Sequence, residues 1–422
     1  QMCIRDSSNI IYLVSAAWLP LAVSLSLDLI EKQDAKKSLA CLAVTLALMI
    51  LGGDPQMALH VMLLIPLLYL FAGKTSNRNR QPKKIPKRKV ARRMVITGII
   101  AFGLAAIQIL PTYTLTKNAN RNLRSASRTT FEWIADQVTG NEVPNNIFKG
   151  RRSSEHHGQL YQFSLAPWQI TELAFPNITG KLYPQRQRWT FLLEDNPRTW
   201  YPSIYQGILP LLFALSIFGL GKNAQHKQLS RMILFTILAS LGAFGIGWLI
   251  TTLSGAKPVA SETGGVYWFL CNVVPGYIQF RYPAKWFILA SLLIAILAGV
   301  GFDTVNKDTE RRRTIFNWSM VGLCAALLTC YPLLSQLLNK ILVNSPPDSF
   351  LGPAASQGVK RDLLQAAIQP LVIVLAFIVT TKHVRQEKAK TTIVLILLAA
   401  DLLFANSWLF SSASSYHLSL IH

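Results

Sequence analysis

The chain has 422 residues, 51% of them hydrophobic and 15% charged, with a mean hydropathy of +0.32. Soluble domains carry about 25% charged residues, and the apolar residues here come in blocks long enough to cross a bilayer as helix, which takes about 20 residues. A soluble enzyme, a disordered chain and a disulfide scaffold are excluded, while the net charge of +22 reads as nucleic-acid binding only if its placement agrees.

Residues 1–7 and 418–422 can be written by the two strands of one short DNA that resembles a transposon end used in library preparation. Both ends are read as technical scars, which leaves 8–417 as native sequence cut from a longer protein. Between them, spans are expected at 10–30, 38–53, 57–72, 94–113, 203–220, 232–253, 285–302, 314–335, 363–381 and 391–410. The reading is an all-α polytopic membrane protein with about ten transmembrane helices. Four lie in 8–113, a long extracytoplasmic segment follows at 114–202, and six lie in 203–417.

Lys and Arg set the orientation. Alternate short loops at 31–37, 73–93, 221–231, 303–313 and 382–390 hold 24 basic residues, against three near 254–285 and three near 340–361. Loop 73–93 is therefore expected in the cytoplasm and 114–202 outside. A basic run such as 73–93 reads either as nucleic-acid binding or as a topological anchor on anionic lipid. No recognition fold accompanies it, so no nucleic-acid partner is expected; the bilayer is. Cysteine spacing offers no metal motif, His156-His157 is a lone pair, and a divalent cation stays open as a cofactor.

Taken along the chain, the candidate site residues begin at the turn Gly52-Gly53-Asp54-Pro55-Gln56. Asp54 reads as a cap for the helix that Pro55 opens, or as a carboxylate that serves as general base or holds a sugar hydroxyl. Gln56 and His60, one helical turn apart, share a face and are candidate substrate ligands. In 114–202, Phe131-Glu132-Trp133-Ile134 fits a surface-lying helix, Glu172, Glu194 and Asp195 are available carboxylates, and Arg128, Arg151 and Arg152 are available phosphate ligands. None has a distinguishing spacing. Asn177-Ile178-Thr179 fits the N-glycosylation pattern.

The stretch 274–286 offers Arg281, whose planar fork suits phosphate, and Lys285 as a second charge. Tyr277, Tyr282 and Trp286 suit the headgroup interface. The stretch reads either as a site for a lipid-linked phosphate or as an aromatic belt with snorkelling bases. Asp401, within the last span, reads as a proton relay or as an interhelical hydrogen bond.

Five segments in order carry a family likeness: Trp18-Leu19-Pro20-Leu21; Leu51 to Gln56, where relatives often have Gly-His-Pro-Gln; Ile107 to Thr112; Tyr205-Gln206-Gly207 through Leu212; and Phe280-Arg281-Tyr282-Pro283 running into Leu297 to Gly301. Ala400-Asp401-Leu402 also fits. On these the chain resembles the bacterial YfhO-type membrane proteins, relatives of the GT-C glycosyltransferases. The resemblance implies a GT-C-like fold in the plasma membrane. It also implies transfer of sugar from a polyprenyl-phosphate donor to a cell-envelope acceptor on the outer face. In that family the catalytic carboxylate sits in the first outer loop, expected upstream of this fragment, so no catalytic residue carries over; Asp54 and Glu172 are the carboxylates that stand as candidates here. Arg281, with Lys285, is the expected donor-phosphate ligand, and Gln56, His60, Arg128 and Tyr282 are expected to bind substrate. A lipid-linked sugar flippase and a non-catalytic membrane scaffold are the alternatives; the first calls for inverted repeats and paired mid-membrane charges, which the sequence lacks.

Overall fold

The computed structural model describes residues 13–71, 85–118, 160–182, 187–193, 200–219, 224–255, 260–274, 277–304, 307–345 and 353–409. Most of these residues are helical, with no strand among them. In chain order the α-helices are α1 (Leu19–Glu31), α2 (Lys36–Leu51), α3 (Pro55–Phe71), α4 (Lys87–Asn118), α5 (Ile208–Ile217), α6 (Ala224–Ser240), α7 (Ile246–Ser254), α8 (Val266–Val273), α9 (Trp286–Asp303), α10 (Lys307–Val343), α11 (Ser356–His383) and α12 (Glu387–Asn406).

Among the described residues, five helical stretches are long and apolar enough to cross a membrane: Lys87–Thr112, Pro283–Asp303, Lys307–Val343, Ser356–His383 and Glu387–Leu409. Large apolar side chains stand outward on them, such as Ile107 at 81% exposure, Leu333 at 70% and Phe404 at 70%. Water would penalise each by a few kcal/mol, whereas lipid tails would not. This is the surface of a membrane protein.

Three expected spans differ from the observed elements. Span 10–30 is broken by a turn at Trp18, leaving α1 with 13 residues. Residues 203–207 are not helical, so 203–220 shrinks to the 10-residue α5. Span 232–253 divides at 241–245 into α6 and α7, because Gly242 takes φ +48° and lets the chain turn against Ser164 and Pro283. Helix α4 begins at Lys87, so the last third of the basic loop expected at 73–93 is helical; 73–84 lie outside the described residues.

The helices group into two units that interleave along the chain: Gln1–Ser164 with Phe218–Leu293, and Leu165–Ile217 with Ile294–His422. In the first, α1 to α4 pack on one another, α3 packs on α6, and α6 packs on α8 and on the turn Pro283–Lys285. Arg93 of α4 is buried and ties α1 down. Its Nη1 donates to the carbonyls of Leu29 (2.6 Å) and Lys32 (2.9 Å), and its Nη2 to that of Gln33 (2.7 Å). A cation thus sits on the negative end of the α1 dipole. Lys89 joins it on the Gln33 carbonyl at 2.8 Å, so these two bases of the expected lipid anchor hold protein instead.

In the second unit α5 packs against α10, α11 and α12. Asp401, fully buried on α12, accepts hydrogen bonds from Tyr205 Oη (2.8 and 2.9 Å), from Gln369 Nε2 on α11 (2.7 Å) and from the Ile208 N–H that opens α5 (2.9 Å). Of its two readings, the interhelical bond is what the geometry contains. Gly207, at φ +94°, permits this approach, since a Cβ there would lie 2.9 Å from Leu398 and 3.4 Å from the Asp401 carboxylate. Asn177 is buried too. Its amide donates to the Ala405 carbonyl at 2.9 Å and accepts from Trp408 Nε1 at 3.0 Å, so the glycosylation pattern falls on a side chain the fold has consumed.

Candidate functional site

The turn between α2 and α3 is built by its glycines and proline. Gly52 N–H closes α2 on the Leu48 carbonyl at 2.8 Å, and Gly53 turns the chain at φ +96°. Pro55 then opens α3 with a φ already helical. Asp54 Oδ1 accepts the Met57 N–H at 3.2 Å, so the capping role is present. The same oxygen accepts Lys285 Nζ at 2.9 Å across 231 residues of chain. The ion pair is dry, with side-chain exposures of 1% for Asp54 and 5% for Lys285.

Lys285 is held there by the short turn Pro283–Lys285, entered through Tyr282 in the left-handed region at φ +67°. Such backbone costs about 1–3 kcal/mol for a residue with a side chain. It is secured by the Lys285 N–H on the Tyr282 carbonyl (3.1 Å), by the Tyr282 ring edge-on to Phe163 (5.1 Å), and by Pro283 resting on Gly242.

His60, one turn and a half along α3, is fully buried and stacks on Trp286, with ring centroids 4.1 Å apart. Trp286 Nε1 donates to Tyr277 Oη at 2.7 Å, and Tyr277 Oη lies 2.9 Å from His60 Nε2. Because the indole only donates, the economical assignment has the Tyr277 hydroxyl donate to His60 Nε2, with the imidazole proton on Nδ1. Tyr277 and Trp286 are fully buried. They line this cluster rather than the headgroup interface expected for them.

Three polar atoms of this cluster have no hydrogen-bond partner: Asp54 Oδ2, Gln56 Nε2 and His60 Nδ1. One is an acceptor and two are donors under the assigned tautomer, and the Asp54–Lys285 pair sums to zero charge. An orphaned buried polar group costs about 1–3 kcal/mol. The arrangement therefore suits a neutral hydroxyl-bearing group, able both to donate and to accept, better than a second anion.

The structure thus joins the turn at 54–60 to the stretch at 277–286 and brings together Asp54, Gln56, His60 and Lys285. Lys285, expected to lend charge to a phosphate, has that charge engaged by Asp54. Arg281 and Tyr282 flank the turn, both partly buried. Glu172 and Asp401 belong to the other unit. Arg128, Arg151, Arg152, Glu194, Asp195, His156, His157 and the stretch 131–134 lie outside the described residues. Among the described residues no three His, Cys, Asp or Glu side chains converge as a metal site.

Sequence reasoning passed over Arg188 and gave Arg93 only as one base of the loop anchor 73–93. Both are buried bases (4% and 7% exposed) in stretches where basic residues are common, and nothing in their spacing marks them. No protein-family model, no curated protein and no solved structure matches the chain.

Proposed function

We propose that the chain belongs to an integral membrane glycosyltransferase-like protein. It takes sugar from a polyprenyl-phosphate donor and passes it to a cell-envelope acceptor at the outer face of the bacterial plasma membrane, with a GT-C-like arrangement of helices. The observation that carries the reading is the meeting of Asp54, Gln56 and His60 with Lys285 in one dry, charge-balanced cluster beside Arg281. The unpartnered atoms of the cluster match the hydroxyls of a sugar. Arg281, four residues before Lys285, brings the planar fork that suits a lipid-linked phosphate. In this reading Asp54 Oδ2, which has no hydrogen-bond partner, holds or takes the proton of an incoming hydroxyl.

The test is transfer of labelled sugar from a polyprenyl-phosphate donor by the purified chain in proteoliposomes. Arg281→Ala is expected to abolish transfer with expression and folding intact. Retained transfer would remove Arg281 from the phosphate site, and absence of transfer by the unaltered chain with any such donor would count against the reading as a whole.

A further inference from the structure

A second cluster, in the other unit, involves none of Asp54, Gln56, His60, Arg281 and Lys285. Two short backbone stretches run side by side, joined by Gln187 N–H to the Lys181 carbonyl (3.0 Å) and Trp189 N–H to the Thr179 carbonyl (3.1 Å). Gly180 makes the approach possible, since a Cβ at its φ of +89° would collide with the Gln187 carbonyl. Trp189 Nε1 locks the pair by donating to the Ile178 carbonyl at 2.8 Å. Ile178 and Trp189 pack on Leu338 and Leu342 of α10 and on Val359 and Leu363 of α11. This frame sets Thr179 and Arg188 against Glu172 of the turn Pro167–Leu173.

Arg188 is 4% exposed. Its Nη2 donates to the Pro202 carbonyl at 2.8 Å and lies 3.5 Å from Glu172 Oε1, a long contact for an ion pair. Its Nε and Nη1 have no partner, and neither has the buried Thr190 Oγ1 two residues on. Glu172, by contrast, is served by neutral donors: Thr179 Oγ1 donates to Oε1, and the Ile204 N–H lies 3.4 Å from Oε2. The guanidinium is therefore desolvated with two of its three nitrogens idle. A buried charge in that state is costly, and among the described residues of the cluster only Glu172, at 3.5 Å, offers it a counter-charge.

We propose that Arg188 anchors an oxyanion site of sulfate or phosphate type, in which the bound anion replaces Glu172 as the counter-charge of the guanidinium. The source is either a free anion or a lipid headgroup. The state of Glu172 supports this: burial, partly offset by Arg188 and by the Ile204 N–H, pushes its carboxyl up to about 7. Among the described residues, the neighbouring Lys181 is engaged by Asp362 at 3.1 Å and Tyr205 by Asp401 at 2.8 Å. With Glu172 protonated the cluster carries one uncompensated positive charge and accepts an anion; with Glu172 ionised it is already neutral. Anion binding is thus linked to protonation of Glu172, and affinity falls by about tenfold from pH 6 to pH 8.

The test uses the purified chain in phospholipid-free detergent, titrated with sodium sulfate against sodium chloride of equal ionic strength. Sulfate is chosen because it does not itself titrate in this range. A second arm compares nanodiscs of phosphatidylcholine with nanodiscs containing phosphatidylglycerol. The expected result is a rise in thermal stability with sulfate, or with the anionic lipid if the headgroup is the source, that weakens tenfold between pH 6 and pH 8. Arg188→Gln removes the response, and Glu172→Gln keeps it while making it independent of pH. Equal responses from wild type and Arg188→Gln overturn the proposal, as does no response in either arm. If Arg188→Gln does not fold, Glu172→Gln decides: a pH slope like that of wild type overturns the linkage.

Discussion

Replacing Asp54 with Asn changes the charge at the α2–α3 turn while leaving most else in place. Asn is as good a helix cap as Asp, so the bond to the Met57 N–H survives. What is lost is the counter-charge of Lys285. At 2.9 Å, and with an effective dielectric constant of about 20, the gross attraction is roughly 6 kcal/mol. Much of this is offset by the cost of drying two ions, and breaking one partner of such a pair leaves about 3–5 kcal/mol of destabilisation. Lys285→Met should cost a similar amount by stranding the Asp54 carboxylate. The double variant Asp54→Asn/Lys285→Met strands neither and should return to within about 1 kcal/mol of wild type. Reversible unfolding in mixed detergent micelles measures all four proteins. Additive losses in the double variant, or single losses below about 1 kcal/mol, would refute the dry ion pair.

Other expectations follow the same logic. Arg93→Ala should cost about 3 kcal/mol in the same unfolding assay, because three charge-assisted bonds to the end of α1 disappear; a loss near zero would mean the α1 carbonyls are solvated. Glu172 is held near 7 in the fold against an ordinary 4.5, so the unfolded chain gives up its proton first. Wild-type stability relative to Glu172→Gln should therefore be greatest below pH 4.5 and fall by roughly 3 kcal/mol as pH rises to 7; a flat difference would contradict the burial of a neutral carboxyl. Gly242→Ala should destabilise by a few kcal/mol, since the new methyl meets Ser164 and the Pro283 ring, whereas Gly103→Ala, with open space around it, should be neutral or stabilising in a helix.

The sequence made the helical, membrane-bound character plain, because long apolar runs admit few other solutions. It also marked the Asp54 turn, where Gly, Gly and Pro dictate the backbone. It could not show that the turn meets Lys285, since a contact across 231 residues leaves no local trace. Hydropathy ran straight through 241–245 because Leu, Ala and Phe there keep the run apolar; the glycines at 242, 245 and 247 were the signal of the break. In 203–220 the signal was Ser203, Tyr205, Gln206 and Gly207, too polar for a buried helix start unless something bonds them, as Asp401 bonds Tyr205. Arg188 was one of many bases in its segment, and only burial sets it apart.

If, as proposed, the Asp54 turn and the Lys285 stretch form one site for a lipid-linked sugar, that sugar lies against both segments. A polyprenyl-phosphate sugar carrying a diazirine on the sugar tests this most directly, by photolabelling the reconstituted chain and mapping the adducts. Adducts are expected within 54–60 and 277–286, competed by unlabelled donor and lost in Arg281→Ala. Adducts confined to other segments, or unaffected by competition, would contradict the shared site.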